Sequence, residues 1–215
     1  MNAVNVIGSV LHGVADGATK IAEDQEALNQ TVRLVKATLD AINRNALQPV
    51  CATIHHTFTV LTNFNAARAL PPKIGMLASY RQMGVLQMAG TICLAVSDLL
   101  CLLNWLEQMG AIGLQKVAQQ VGGIPIFGKI TECIFLPGMQ SRICLVGLIA
   151  NLANMVANTV QNGFELPTFF IQVGTLAMIA AVALIETSSD TLFIFASCAN
   201  ATASLCFLTY FLITD

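Results

Sequence analysis

From residue 143 to residue 214 the chain carries three charged side chains, Glu165, Glu186 and Asp190, and neither Lys nor Arg. Three uncharged windows result, at 143–164, 166–185 and 191–214, and a fourth at 85–106 holds one charge, Asp98. A helix rises 1.5 Å per residue, so about 20 residues cross a hydrocarbon core of roughly 30 Å. Unpaired amides are too costly to face lipid, so apolar windows of this length should be helical. The expected fold is therefore all-α, an integral membrane bundle of about four hydrophobic helices.

The windows differ in character. Residues 191–214 and 166–185 are rich in large apolar side chains, among them Phe193, Phe195, Phe207 and Phe211, and Phe169 to Ile171. The window at 143–164 is diluted by Asn151, Asn154, Asn158, Gln161 and Asn162. Asp98 costs the first window roughly 2.5–3.5 kcal/mol on insertion scales, which its many leucines offset.

Composition agrees: 55% of the 215 residues are apolar and only 10% charged. Soluble domains carry about 25% charged residues, so too few are present to coat a water-facing surface of this size. That argues against a nucleic-acid binder, a disordered protein and an ordinary cytosolic enzyme.

The charges that exist are unevenly spread. Residues 1–81 hold seven Lys or Arg against five acids, and residues 82–215 hold three against seven. Two segments follow: 1–81, amphipathic and water- or interface-facing, and 82–215, the membrane region. In the first, Ile21, Leu28, Val32, Val35, Leu39, Ile42 and Ala46 fall at steps of three and four once Gln25 fills the gap. That spacing predicts an amphipathic helix with a narrow apolar seam. Its other faces carry Lys20, Glu23, Asp24, Glu26, Arg33, Lys36, Asp40 and Arg44, expected to face water, and Pro49 is expected to end it. Three heptads are short for a free coiled coil, so an intramolecular helical hairpin is the alternative.

Val50, Ile54, Phe58, Leu61 and Phe64 predict a second helix, closed by Pro71-Pro72 and suited to packing on the first or lying at an interface. No base precedes the apolar stretch in the first fifteen residues, which disfavours a cleaved signal peptide. Arg68, Lys73 and Arg81 before the first window balance Lys116, Lys129 and Arg142 after it. The remaining bases lie nearer the amino terminus and favour a cytoplasm-facing amino terminus.

Motifs for catalysis or metal binding are weak. Gly123-Ile-Pro-Ile-Phe-Gly128-Lys129 matches the start of a phosphate-binding loop, but Ile130 replaces the Ser or Thr that holds magnesium. Pro125 also removes an amide from the cradle. Of the seven cysteines, Cys93, Cys101, Cys144, Cys198 and Cys206 lie in apolar windows, and the chain has no Cys-x-x-Cys. Buried reduced thiols are the expectation. His55 and His56 are adjacent and point about 100° apart on a helix, so they do not chelate as an i, i+4 pair. No cofactor, no metal and no enzymatic activity are expected.

The polar positions inside the windows are more informative. Asn151, Asn154, Asn158 and Asn162 share one helical face, extended by Gly147 and Ala150. Such a stripe must face protein or water, through interhelical hydrogen bonds or along a polar path, and Asp98 is its natural partner. Ser197, Asn200 and Ser204 form a similar face at 191–214, where Ser197-x-x-x-Ala201 permits close helix approach.

The pair of apolar helices at 166–185 and 191–214, joined by Glu186-Thr-Ser-Ser-Asp190, resembles the bilobed hydrophobic domain of chlamydial inclusion membrane proteins. Residues 21–46 resemble the exposed helical segment of that family. The resemblance is architectural, covers 166–214, and departs from the simplest pattern in its two upstream windows and carboxyl-terminal hairpin. It implies secretion to a host vacuole membrane, recruitment of host proteins and no catalytic residues.

The expected function is a non-enzymatic membrane anchor or scaffold. Leu28, Val32, Val35, Leu39 and Ile42 would present a seam to a protein partner or a second copy, with the lipid bilayer as the other partner. A small transporter or channel lined by Asp98, Asn151, Asn154 and Asn158 is the alternative. A membrane-shaping protein using residues 50–70 is the third.

Overall fold

A computed structural model describes residues 25–43, 49–111, 113, 138–184 and 189–214. Among these residues the structure is helical, as expected. The helices are α1 (Gln25–Asn43), α2 (Pro49–Ala78), α3 (Val85–Gln108), α4 (Met139–Asn162), α5 (Leu166–Leu184) and α6 (Asp190–Thr214), with a 3-10 turn at Tyr80–Gln82. Four of them, α3 to α6, are long and apolar enough to cross a membrane. Each matches one expected window to within a few residues.

The helix boundaries have local causes. Gly138 precedes α4 at φ 77° and Gly163 follows it at φ 96°, backbone states that side-chain-bearing residues rarely adopt. Pro167 sits in the first turn of α5, where its missing amide costs nothing. Asp190 opens α6 with a negative charge at the positive end of the helix dipole.

One proline expectation is corrected. The end of α1 expected at Pro49 falls on residues 44–48, outside the described residues, and Pro49 itself is the first residue of α2, where a fixed φ is pre-organised for a helix start. Pro71 and Pro72 do not close α2, which continues to Ala78. The turn beyond them is held by a tertiary contact, because Lys73 pairs with Asp98 on α3. That contact offsets the backbone hydrogen bonds lost to the two prolines.

Each helix packs chiefly on its two neighbours in sequence, and α1 closes the circuit by packing along α6. The contacts run antiparallel: Asn29 meets Asn65 across α1 and α2, and Gln172 meets Thr159 across α4 and α5. Among the described residues the result is an up-and-down ring of six helices.

What lies inside the ring is unlike a soluble core. The buried apolar residues are Ala27, Ala37, Ala95, Ala181, Ala196 and Ala203, with only Val32, Leu100 and Leu208 larger. Beside them are buried Asn29, Gln30, Thr91, Ser97, Thr175, Ser197 and Ser204. The large apolar side chains point outward, among them Leu86, Ile92, Ile149, Val160, Leu176, Phe195 and Leu205. Water drives large side chains inward, whereas lipid leaves helix packing to small residues and hydrogen bonds. This distribution is that of a bundle built for lipid.

The polarity of α1 is the main departure from expectation. Its charged face was expected to meet water, but Lys36 and Asp40 have side chains only 23% and 15% exposed and bond each other at 2.8 Å. Asn29 and Gln30 are buried, while Leu28 and Val35 are 48% and 37% exposed. The helix turns its polar face into the ring and an apolar stripe outward.

Candidate functional site

Most of the polar contacts between helices run along the α1–α2, α2–α3 and α3–α4 faces, while buried Thr175, Ser197 and Ser204 lie on α5 and α6. Asn29 on α1 accepts from the Asn65 amide of α2 at 3.1 Å. Lys73 on α2 forms an ion pair with Asp98 on α3. The Cys101 thiol donates to the Asn63 side-chain oxygen at 3.6 Å. On the far side of α3, Asn104 donates to Gln140 of α4 at 3.3 Å, and the Ser97 hydroxyl to the Gln140 carbonyl at 3.5 Å. Arg33, one turn beyond Asn29 on α1, lies within electrostatic reach of the Cys101 and Cys144 thiols. Aromatic contacts bracket this region, with Trp105 edge-on to Phe64 at 6.2 Å and Arg68 over the Phe64 ring at 5.9 Å.

Pairing decides what such a cluster does in a low-dielectric setting. A lone carboxylate in a span is costly, and a carboxylate sharing a hydrogen-bonded ammonium is much less so. Lys73 therefore explains how α3 accommodates Asp98. The asparagine stripe does not, which corrects the expected partnership. Lys73 is also removed from the flanking bases that were weighed for orientation.

The stripe itself is divided. Asn151 lies against Gly90 so closely that a Cβ on Gly90 would collide with its side-chain oxygen and stand 3.1 Å from the Gly147 carbonyl oxygen. Asn154 sits over Gly84, its oxygen 3.8 Å from where a Cβ would stand. Asn158 faces outward, exposed, so the inward face ends at Asn154. Gly90 on α3 thus makes room for the Asn151 amide on α4, as close approach in a membrane helix pair requires.

The α5–α6 side of the ring is packed by small residues. Gly174 of α5 packs against Phe207 and Cys206 of α6, with an added Cβ meeting them at 3.1 and 3.2 Å. Ala181 on α5 and Ala196, Ser197, Ala203 and Ser204 on α6 are buried. The Ser204 hydroxyl is fully buried and has no partner among the described residues.

The expected partner seam is split. Val32 is buried, Leu39 is half-buried, and Leu28 and Val35 face outward. The side chain of Ile42 lies outside the described residues, as do His12, His55, His56 and the Gly123–Lys129 loop. Among the described residues no three His, Cys, Asp or Glu gather as metal ligands, and Cys93, Cys101, Cys144, Cys198 and Cys206 carry free thiols.

Asn29, Arg33, Asn63, Asn65, Lys73 and Gln140 were not anticipated as site residues. One signal for them existed: Asn29 and Arg33 are an i, i+4 polar pair on a helix otherwise judged by its apolar steps. No protein-family model, no curated protein and no solved structure matches the chain.

Proposed function

We propose that this protein is a non-enzymatic integral membrane anchor that holds α1 in place for capture of a protein partner. The observation that supports the reading is how α1 is mounted. Its polar face is bonded into the ring through Asn29 and Asn65, and Leu28 and Val35 stand one heptad apart on the outward side. Polar groups that bond one another in a membrane fix helix positions and specify the assembly. The interhelical contacts Lys73–Asp98, Asn63–Cys101 and Asn104–Gln140 are of this kind. The outward half of the seam remains for a partner helix or a second copy.

The likeness of α5 and α6 to a bilobed hydrophobic domain supplies a location for this role, the membrane of a pathogen-containing vacuole, with the amino terminus on the host cytoplasmic side. Replacing Leu28 and Val35 with Asn tests the anchor reading. Recovery of a crosslinked partner or dimer through α1 should be lost while membrane insertion is retained. Undiminished crosslinking in the double variant contradicts it.

A second reading, a small transporter or channel, is favoured by one observation: Lys73 and Asp98 place an ion pair within a candidate span. Intramembrane ionisable pairs mark ion and substrate pathways as well as structural locks. Flux through vesicles holding the wild-type protein, abolished by Asp98→Asn, would support this reading, and absence of flux from both would remove it.

A further inference from the structure

We infer that α1 lies at the depth of the bilayer hydrocarbon, with lipid acyl chains covering its Leu28 and Val35 stripe. The inference rests on the same stripe as the anchor reading but concerns its depth and surroundings rather than its partner. Hydropathy assigns four spans, α3 to α6, and leaves α1 out. The structure supplies four reasons to include it.

First, α1 packs along α6, a candidate span whose own outer residues Phe195, Leu205 and Leu212 are exposed. Leu28 and Val35 thus stand exposed on a helix packed directly against a candidate span that also presents large apolar side chains. Second, the polarity of α1 is that of a membrane helix. Its ion pair Lys36–Asp40 is mostly sheltered, and Asn29 and Gln30 are 6% and 4% exposed, against 48% for Leu28. A helix on a water-facing surface has the reverse arrangement.

Third, the polar groups on the outward side are satisfied without water. Thr31 donates its hydroxyl to the Ala27 carbonyl at 2.9 Å, and Thr38 donates to the Leu34 carbonyl at 2.8 Å. The same back-bonding occurs at Thr202, Thr209 and Thr214 on α6. A hydroxyl bonded to its own helix is tolerated in hydrocarbon, where an unpaired one is costly. Fourth, nineteen residues of helix measure about 28 Å, close to the hydrocarbon thickness. Lipid is then the resting occupant of the stripe, and a partner that captures α1 displaces it from within the bilayer.

The test uses the full-length wild-type protein in phosphatidylcholine–phosphatidylglycerol vesicles, so no variant has to fold. A light-activated apolar carbene precursor dissolved in the bilayer marks lipid-facing side chains, and hydroxyl radicals mark water-facing ones, both read by mass spectrometry. Leu28 and Val35 should take up carbene as Leu205 and Leu212 do, and about tenfold more than buried Asn29 and Ala37. Oxidation of Leu28 and Val35 at the level of exposed Met109, with carbene uptake no higher than at Ala37, overturns the inference. The labelling is independent of partner capture: loss of capture by itself would sink the anchor reading and leave this one standing.

Discussion

Where α5 meets α6, a glycine lies against a phenylalanine ring and the buried surface is alanine and serine. Where α2 meets α3, an ammonium meets a carboxylate and a thiol meets an amide. Both interfaces are packed in one ring and present large apolar residues outward, yet they are held by different forces. The hairpin depends on shape: dispersion between closely approaching backbones, gained because Gly174, Ala181 and Ala203 are small. The α1–α4 part depends on pairing, with side chains reaching across helix gaps to satisfy one another. In lipid the hydrophobic effect does not bring helices together, so these two means are what remain. Polar pairing adds directional specificity, and it falls where the chain is least apolar.

This contrast can be broken at several points. The largest effect is expected from Lys73→Met, which leaves Asp98 without its partner. The two side chains are 26% and 17% exposed, so the loss is screened and should be about 2–3 kcal/mol. Unfolding in detergent, followed through the single tryptophan Trp105, measures it, and Lys73→Met with Asp98→Leu should recover most of the stability. No recovery in the double variant would mean that the pair does not act as a unit.

Gly90→Leu should cost about 2 kcal/mol through overpacking against Asn151 and the Gly147 carbonyl, and Gly174→Leu a similar amount against Phe207. Crosslinking between α3 and α4, or between α5 and α6, should weaken only in the pair that carries the change. Asn29→Val removes one interhelical bond and leaves Asn65 unsatisfied, for about 1 kcal/mol. The smallest effect sharpens the comparison most. Ser204→Ala in the α5–α6 seam removes a buried hydroxyl that has no partner among the described residues, so stability should stay within about 0.5 kcal/mol or rise. Truncating a polar side chain thus costs stability on one side of the ring and does not on the other.

The spans were legible because nothing interrupts them. From Leu166 to Leu184, and from Thr191 to Thr214, uncharged apolar sequence leaves a helix as the only backbone that lipid tolerates. The existence of α1 was legible from its three- and four-residue steps, but its orientation was not. Periodicity says that Leu28 and Val35 share a face, and the solvent decides which way that face points. Water would turn the stripe inward; lipid around α6 leaves it outward. Lys73 was hidden for another reason. Pro71-Pro72 marks a helix end by local rules, and the contact that carries α2 past it involves Asp98, 25 residues away. A local rule was overridden by a tertiary contact. The asparagine stripe was visible, and its division at Asn154 depends on where Gly84 and Gly90 bring α3 close, which spacing on α4 alone does not contain.

The account stands on inverted polarity throughout the ring, α1 included. The most direct measurement is a nitroxide scan, one cysteine at a time, along residues 27–39 of α1 and 196–208 of α6 in vesicles. Collision with dissolved oxygen reports lipid exposure, and collision with a water-soluble nickel chelate reports water exposure. The account predicts oxygen maxima at Leu28, Val35 and Leu205 and minima at Ala37, Ala203 and Ser204, with the helical period of about 3.6 residues on both elements. Nickel-chelate maxima at Lys36 and Asp40, with Leu28 and Val35 shielded from oxygen, would contradict it.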